Sequence, residues 1–174
     1  MKTLILGGVK SGKSRQAQAL AVTSKKPVTL IATALASDSE MAQRIDQHKA
    51  DRPNDWHLVE EPYSLGTAIE NIDNTGQCIV VDCLTLWLTQ LLVKGNASLL
   101  HHELASFKNA VSSASSELII VSNENNMGII PMGELSRRYC DEAGMLHQSI
   151  AAECDRAMLC VAGLPLMLKG DIPN

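Results

Sequence analysis

Five short aliphatic runs recur along the chain: Thr3–Leu6, Val28–Ile31, Cys78–Val81, Leu118–Val121 and Ala157–Val161. Each is continuous rather than alternating, the pattern of parallel strands covered on both faces. The segments between them carry apolar residues at helical spacing around residues 13–23, 38–50, 84–94, 98–115 and 133–153. This alternation predicts βαβ units, and hence an α/β fold with a mostly parallel central sheet and helices on both faces. No repeat, low-complexity run or linker interrupts it, and 174 residues suit a single domain over 1–174.

The helix near residue 38 has a readable start, because Ser37-x-x-Glu40 fits a capping box. Met41, Ile45 and His48 then share a face at i, i+4, i+7 spacing. Pro53 bars the α region for Arg52, so the helix ends before it and presents His48, Lys49 and Arg52 near its exit.

Composition narrows the chemistry. Hydrophobic residues at 45% and charged residues at 20% exclude a disordered or collagen-like chain. The only aromatic residues are Trp56, Trp87, Tyr63, Tyr139 and Phe107, so the core must be aliphatic and base-stacking platforms are disfavoured. A net charge of −4, with no basic tail, argues against nucleic acid as a partner. Any phosphate ligand must be held by a few local groups. Five cysteines without a C-x-x-C pair suit reduced thiols. The chain reaches a glycine loop by Gly7, leaving no room for a signal peptide, and no apolar stretch approaches the roughly 20 residues of a membrane span. A cytoplasmic, soluble protein is expected.

The sharpest motif is Gly7-Gly8-Val9-Lys10-Ser11-Gly12-Lys13-Ser14, a match to the P-loop pattern G-x-x-x-x-G-K-[ST]. It follows a buried strand and opens a helix, as the pattern requires. Gly7, Gly8 and Gly12 let backbone amides close around phosphate oxygens. Lys13 supplies charge to the β- and γ-phosphates, and Ser14 can ligate Mg²⁺. A second carboxylate is needed at the end of a neighbouring strand. Asp82 ends the third run and suits that role, or that of a helix cap for the Leu84 segment. Histidine can act as a nucleophile toward phosphorus when neutral, as imidazole largely is at pH 7 with its ordinary pKa of about 6.5, and His48 is a candidate for that role. Arg44, Lys49 and Arg52 beside it would disfavour its protonation and grip phosphate oxygens; a helical histidine with no task fits the same pattern. The loop Ser122-Asn-Glu-Asn-Asn-Met-Gly128 leaves a strand where ligands bind in open α/β sheets, although a plain connector reads the same way.

Together these tracts resemble the bifunctional adenosylcobinamide kinase/adenosylcobinamide-phosphate guanylyltransferases of cobalamin biosynthesis. The likeness rests on the P-loop, Ile31-Ala32-Thr33, Arg44-Ile45-x-x-His48-Lys49-x-x-Arg52-Pro53, Trp56 and Glu60-Glu61-Pro62. It continues through Asp82-Cys83-Leu84-Thr85, Trp87-Leu88-Thr89, Ser122-Asn123-Glu124 and Gly128-Ile129-Ile130-Pro131. The His-Lys-x-x-Arg-Pro tract is much more specific than the P-loop. The resemblance implies a P-loop NTPase-like fold and two reactions. A nucleoside triphosphate, ATP or GTP, phosphorylates the aminopropanol hydroxyl of adenosylcobinamide. GTP then donates GMP to that phosphate through a guanylylated histidine, releasing pyrophosphate. It further implies His48 and Lys13 as catalytic and Ser14 and Asp82 as Mg²⁺ ligands. Nucleotide contacts would come from residues 7–14, Ala32, Thr33, Lys49, Asp51, Arg52, Glu60, Glu61 and Asp82, and the partners would be a corrinoid and sister subunits of a cytoplasmic trimer. The rival readings are a P-loop kinase for another small alcohol and a nucleotide-dependent switch.

The chain departs from the family pattern at a few positions. Asn125 and Asn126 stand where an apolar residue and a glycine are usual, Cys140 replaces an arginine, His147 an asparagine, and Gln90 an asparagine. Cysteine cannot supply the bidentate charge of arginine, so one of the two activities stands to be weakened or lost.

Overall fold

Neighbouring residues within each aliphatic run part to opposite faces of one sheet, and each face has its own core. Leu4, Leu6, Ile79, Val81, Leu118 and Ile120 pack in one buried cluster, with Trp87, Phe107, Leu146 and other helical residues. Ile5, Leu30, Val80, Ile119, Val121 and Met158 pack in the other, against Ala17 and Ala21. Double coverage is the reason the runs carry no polar alternation.

The computed structural model describes residues 1–35, 53 and 55–171. Its elements are β1 (Lys2–Gly7), α1 (Lys13–Thr23), β2 (Val28–Ala32), β3 (His57–Glu60), α2 (Leu65–Ile72), β4 (Cys78–Asp82), α3 (Leu84–Val93), α4 (Ala97–Ser113), β5 (Glu117–Val121), α5 (Glu134–Glu153), β6 (Arg156–Val161) and β7 (Leu164–Lys169). The sheet runs β3-β2-β4-β5-β1-β6-β7. All neighbours are parallel except β7, which turns back antiparallel on β6. The small residues of α1 cover one face, and α2 to α5 the other. Loops leaving the carboxyl ends of β1, β4 and β5 therefore converge at one edge.

The α/β architecture and all five anticipated strands are present, each within a residue of its run. Three elements, β3, α2 and β7, were not anticipated from the sequence. The expected helix over 38–50, with its capping box, lies outside the described residues. Aliphatic packing dominates as composition requires. Trp87 and Phe107 are the largest fully buried side chains, tilted at 54° with centroids 5.2 Å apart, and the Trp87 indole donates to the Tyr63 carbonyl at 2.6 Å. Asn96 caps α4, its side-chain oxygen accepting the Leu99 amide at 3.0 Å. All five cysteines are free, as expected, and burial pushes the Cys78, Cys83 and Cys154 thiols up to about 11. No described helix is long and apolar enough to cross a membrane.

At the opposite edge, Asp73 ties α2 to the start of β5. Its carboxylate accepts the Ser115 amide and hydroxyl, both at 2.9 Å, and the Ser116 amide at 2.8 Å. Partial burial works to raise its pKa, but the hydrogen bonds from Ser116 and Ser115 outweigh this and hold it at about 2. A depressed carboxyl pKa contributes stability that is complete above the unfolded value of about 3.9 and lost as pH falls through the folded one. With its partial exposure discounted, the site is worth on the order of 1–2 kcal/mol. Asp73→Ala should lower Tm at pH 7 by roughly 3–6 °C, at about 2–4 °C per kcal/mol. Thermal melts of the two proteins should converge between pH 4 and 2; a constant gap across that window would disprove the linkage.

Candidate active site

β1 is buried and delivers the chain to residues 8–12, after which α1 begins at Lys13. Gly7 has φ 152°, and a Cβ there would lie 2.5 Å from the Cys160 carbonyl oxygen on β6, so only glycine fits the exit from the strand. Among the described residues, a Cβ on Gly8 would meet nothing within 4 Å. The first turn of α1 carries neither a side-chain cap nor an acidic residue, leaving its amides and helix dipole for an anion.

Lys13 is buried, and its Nζ donates to the Gly8 carbonyl at 2.6 Å, folded back across its own loop. Burial lowers its pKa; charge on neighbours including Asp82 opposes this. Ser14, the next residue, donates from Oγ to Asp82 Oδ2 at 3.1 Å. The N-cap of α3 falls on Cys83, one residue beyond the cap position read from the sequence for Asp82. The hydroxyl and carboxylate pair are hard oxygen donors of the type Mg²⁺ takes alongside nucleotide phosphates. No group of three or more His, Cys, Asp or Glu side chains able to hold a metal occurs among the described residues.

Other expected contacts fall on the same edge with different duties. Thr33 is fully buried; its hydroxyl donates to the Cys83 carbonyl at 2.7 Å and accepts the Cys83 amide at 3.0 Å, and its amide bonds the Asp82 carbonyl. Thr33 thereby locks Ala32, at the end of β2, to the end of β4. Gln90 on α3 donates to the Thr33 and Pro62 carbonyls at 2.8 and 3.2 Å, fastening the loops after β2 and β3. Glu61 accepts the Tyr63 and Ser64 amides at 2.8 and 2.9 Å. Glu60 ends β3, the edge strand, and is exposed. Val9 and Lys10 are exposed in the loop, whereas Ser11 is buried and its Oγ has no hydrogen-bond partner among the described residues. His48, Lys49, Asp51 and Arg52 lie outside the described residues.

Two features escaped the sequence reading. The β6–β7 turn props the P-loop: the Gly163 amide donates to the Ser11 carbonyl at 2.9 Å, and a Cβ on Gly12 would press to 3.0 Å from Gly163 Cα. Gly163 has φ 81°, and a Cβ on it would lie 2.8 Å from the Arg15 guanidinium. Gly163→Val should therefore cost on the order of 1–3 kcal/mol from left-handed backbone strain and weaken nucleotide binding together with Tm. Calorimetry of nucleotide binding beside a thermal melt checks this, and unchanged affinity would sever the turn from the loop.

The second feature is a cluster after β5. His147 on α5 is buried, with Nε2 2.8 Å from Ser122 Oγ and Nδ1 3.8 Å from Glu124 Oε2. Burial lowers the His147 pKa, against the pull of Glu124. Thr85 accepts the Asn123 amide at 2.8 Å, and the Glu124 amide donates to the Gly7 carbonyl at 3.0 Å. Asn126 gives its amide to Glu124 Oε1 at 2.7 Å and its side chain to the Cys140 carbonyl at 2.9 Å. The unusual residues Asn126, Cys140 and His147 thus form one patch in which each meets another or Glu124. Spacings of 14 and 25 residues gave no local signal of this.

The described sheet is shared by distant proteins. A Pyrococcus horikoshii OT3 protein matches with TM-score 0.56 at 10% identity, over 98% of this chain and 87% of its own. RadB recombinase matches with TM-score 0.54 at 16% identity, over 90% and 72%. Sequence comparison is far more specific. The bifunctional adenosylcobalamin biosynthesis protein CobP of Pseudomonas aeruginosa is 48% identical across 98% of this chain and 99% of its own. CobU of Escherichia coli is 32% identical across 97% and 100%, and CobU of Salmonella typhimurium 33% across the same shares. The cobinamide kinase / cobinamide phosphate guanyltransferase family matches residues 3–168. With that match on top of a P-loop whose lysine, serine and facing aspartate converge, the chain belongs to this family and is a bifunctional adenosylcobinamide kinase and guanylyltransferase.

Proposed function

We propose that both reactions run at the carboxyl edge of the sheet on one bound nucleotide triphosphate site. The observation that carries this is the meeting of Lys13, Ser14 and Asp82 beneath uncapped helix amides. In the first reaction the P-loop amides and Lys13 hold the β- and γ-phosphates. The hydroxyl of the aminopropanol arm of adenosylcobinamide attacks the γ-phosphorus, and nucleoside diphosphate leaves. Lys13 exchanges its internal partner, the Gly8 carbonyl, for phosphate oxygens on which charge accumulates.

In the second reaction a neutral ring nitrogen of His48 attacks the α-phosphorus of GTP, and pyrophosphate leaves. The phosphate of adenosylcobinamide phosphate then displaces the histidine, giving adenosylcobinamide-GDP. Splitting one displacement between two bulky anions into two steps is the advantage of a covalent phosphoramidate. Lys49 and Arg52 are proposed to grip the phosphates, while Asp51, Glu60, Glu61, Ala32 and Thr33 shape the nucleotide site. Mg²⁺, held by Ser14 and Asp82 when bound, would supply neutralising charge to the phosphates.

The reading includes a cytoplasmic homo-oligomer, trimeric by the family resemblance. Exposed apolar side chains support an assembly: Ile129 and Met132 are 98% and 95% exposed, and Leu164, Leu166 and Leu168 are exposed along edge strand β7. The direct test of the covalent step is incubation with α-labelled GTP and Mg²⁺. Acid-labile, alkali-stable label on the chain is expected. Bound GTP without label would leave guanylyl transfer by some other route.

A further inference from the structure

Phosphorylating an alcohol needs somewhere for its proton to go, and the P-loop offers none, since Lys13 is a donor and Ser14 is already bonded to Asp82. We propose that Glu124 is the general base of the kinase half-reaction, with His147 as the residue that positions it. The inference rests on the kinase reading above. As the acceptor oxygen bonds to the γ-phosphorus, its proton passes to Glu124 Oε2. The bond from that phosphorus to the β-bridging oxygen breaks, nucleoside diphosphate leaves, and the proton passes on to solvent.

The sheet order carries the argument. β5 lies between β1, which ends in the P-loop, and β4, which ends in Asp82. A terminal phosphate gripped by both Lys13 and the Ser14–Asp82 pair must therefore sit over the end of β5. Glu124 is three residues past that end, and its amide is bonded to the carbonyl of the first P-loop glycine. The other described carboxylates of this edge are engaged or remote. Asp82 accepts from Ser14, and Glu61 accepts two amides. Glu60 ends β3, four strand positions from β1, or about 19 Å at a spacing of about 4.8 Å per strand.

The carboxylate itself is poised. Oε1 is fixed by the Asn126 amide, while Oε2 receives no hydrogen bond among the described residues. His147 faces Oε2 from 3.8 Å, and its Nδ1 has no hydrogen-bond partner among them, because the ring is held by Ser122 through Nε2. The neighbour Asn125 lines a pocket of about 390 Å³ together with Leu92, Leu135 and Tyr139, space for an acceptor arm one residue from Glu124.

The bifunctional enzyme contains its own control. Guanylyl transfer to adenosylcobinamide phosphate uses an acceptor that is already an anion and has no hydroxyl proton to lose. In Glu124→Gln, phosphorylation of adenosylcobinamide should fall about 10²–10⁴-fold in kcat, the range of a lost general base. GTP affinity and guanylylation of supplied adenosylcobinamide phosphate should stay within about threefold of wild type, under a kcal/mol. Glu124→Asp should recover part of the kinase rate. His147→Asn should slow the kinase alone, by roughly tenfold, as expected for a base held less well. Kinase turnover of Glu124→Gln within about tenfold of wild type would overturn the proposal, below the range for a general base. So would an equal loss of both reactions or of GTP binding, which would make Glu124 a prop of the P-loop. Wild-type protein that binds GTP but leaves adenosylcobinamide unphosphorylated would instead overturn the kinase reading on which the proposal rests.

Discussion

Lys13→Ala is expected to abolish both reactions while leaving the protein folded. The side chain is buried in the P-loop, and among the described residues its hydrogen bond goes to a carbonyl of that same loop. Burial already disfavours its charge, as the lowered pKa records, so removing it sacrifices little native stability. Its cation matters when phosphate arrives, because charge grows on the β- and γ-phosphate oxygens in both displacements. Losing one such donor costs about 10²–10³ in rate, and losing a full cationic partner of a transferring phosphoryl group costs about 10³–10⁵. A drop of at least roughly 10³ in kcat/KM, about 4 kcal/mol, is therefore expected for each reaction. Tm should stay within a few degrees. Steady-state assays of the two reactions on one preparation, with a thermal melt beside them, measure all three quantities. Kinase turnover at the wild-type rate would remove Lys13 from the mechanism.

What could be read from the sequence was whatever is decided locally. The P-loop is eight contiguous residues whose glycines and lysine act through their own backbone, so pattern and geometry coincide. The five central strands were legible because both of their faces are buried, leaving no polar residue to break the runs. β7 was missed for the opposite reason. Leu164, Leu166 and Leu168 are exposed, and Pro165 sits on a sheet edge, where a missing amide costs nothing. β3 is only four residues long with exposed ends, too short for periodicity to speak. α2 has Leu65 and Ile69 one turn apart but spans eight residues, below the length at which helical spacing separates from a buried strand. Thr33 shows a different limit. Its tract was legible, yet its hydroxyl is consumed by the Cys83 backbone, and only the pairing of β2 with β4 reveals that.

The loop after β5 is legible as a candidate ligand loop, but the side-chain patch it forms with α5 lay furthest from sequence reasoning. In sequence, Asn126, Cys140 and His147 are separate departures from a family pattern, and the arginine missing at Cys140 is the reason to expect a weakened activity. In space they are one arrangement. Asn126 reaches the carbonyl of Cys140, so that contact is made by backbone and is indifferent to the missing arginine side chain. His147 is turned onto Ser122 and Glu124. Substitutions that answer one another in contact are energetically coupled rather than additive, and their joint cost is not the sum of their separate ones. Cys140→Arg alone should thus gain little, whereas the Glu124 carboxylate that the patch steadies is where sensitivity is concentrated.

His48→Ala should separate the two activities more cleanly than any other change. Guanylyl transfer through a histidine has no substitute nucleophile at that position. Removing a covalent nucleophile from a catalytic set costs on the order of 10⁴–10⁶ in kcat. Conversion of adenosylcobinamide phosphate to adenosylcobinamide-GDP, and labelling of the chain by α-labelled GTP, should both disappear. Phosphorylation of adenosylcobinamide needs only the γ-phosphate, the P-loop and an acceptor base, so it should continue within about threefold, a change under a kcal/mol. The variant would then accumulate adenosylcobinamide phosphate. Glu124→Gln stops the chain of reactions one step earlier, before that phosphate forms. Mixing the two variants makes the assignments test each other. If the intermediate diffuses between molecules, the mixture restores adenosylcobinamide-GDP that neither protein makes alone. Persistent labelling in His48→Ala would place the nucleophile elsewhere, and loss of both reactions would make His48 a phosphate-binding residue rather than the attacking group.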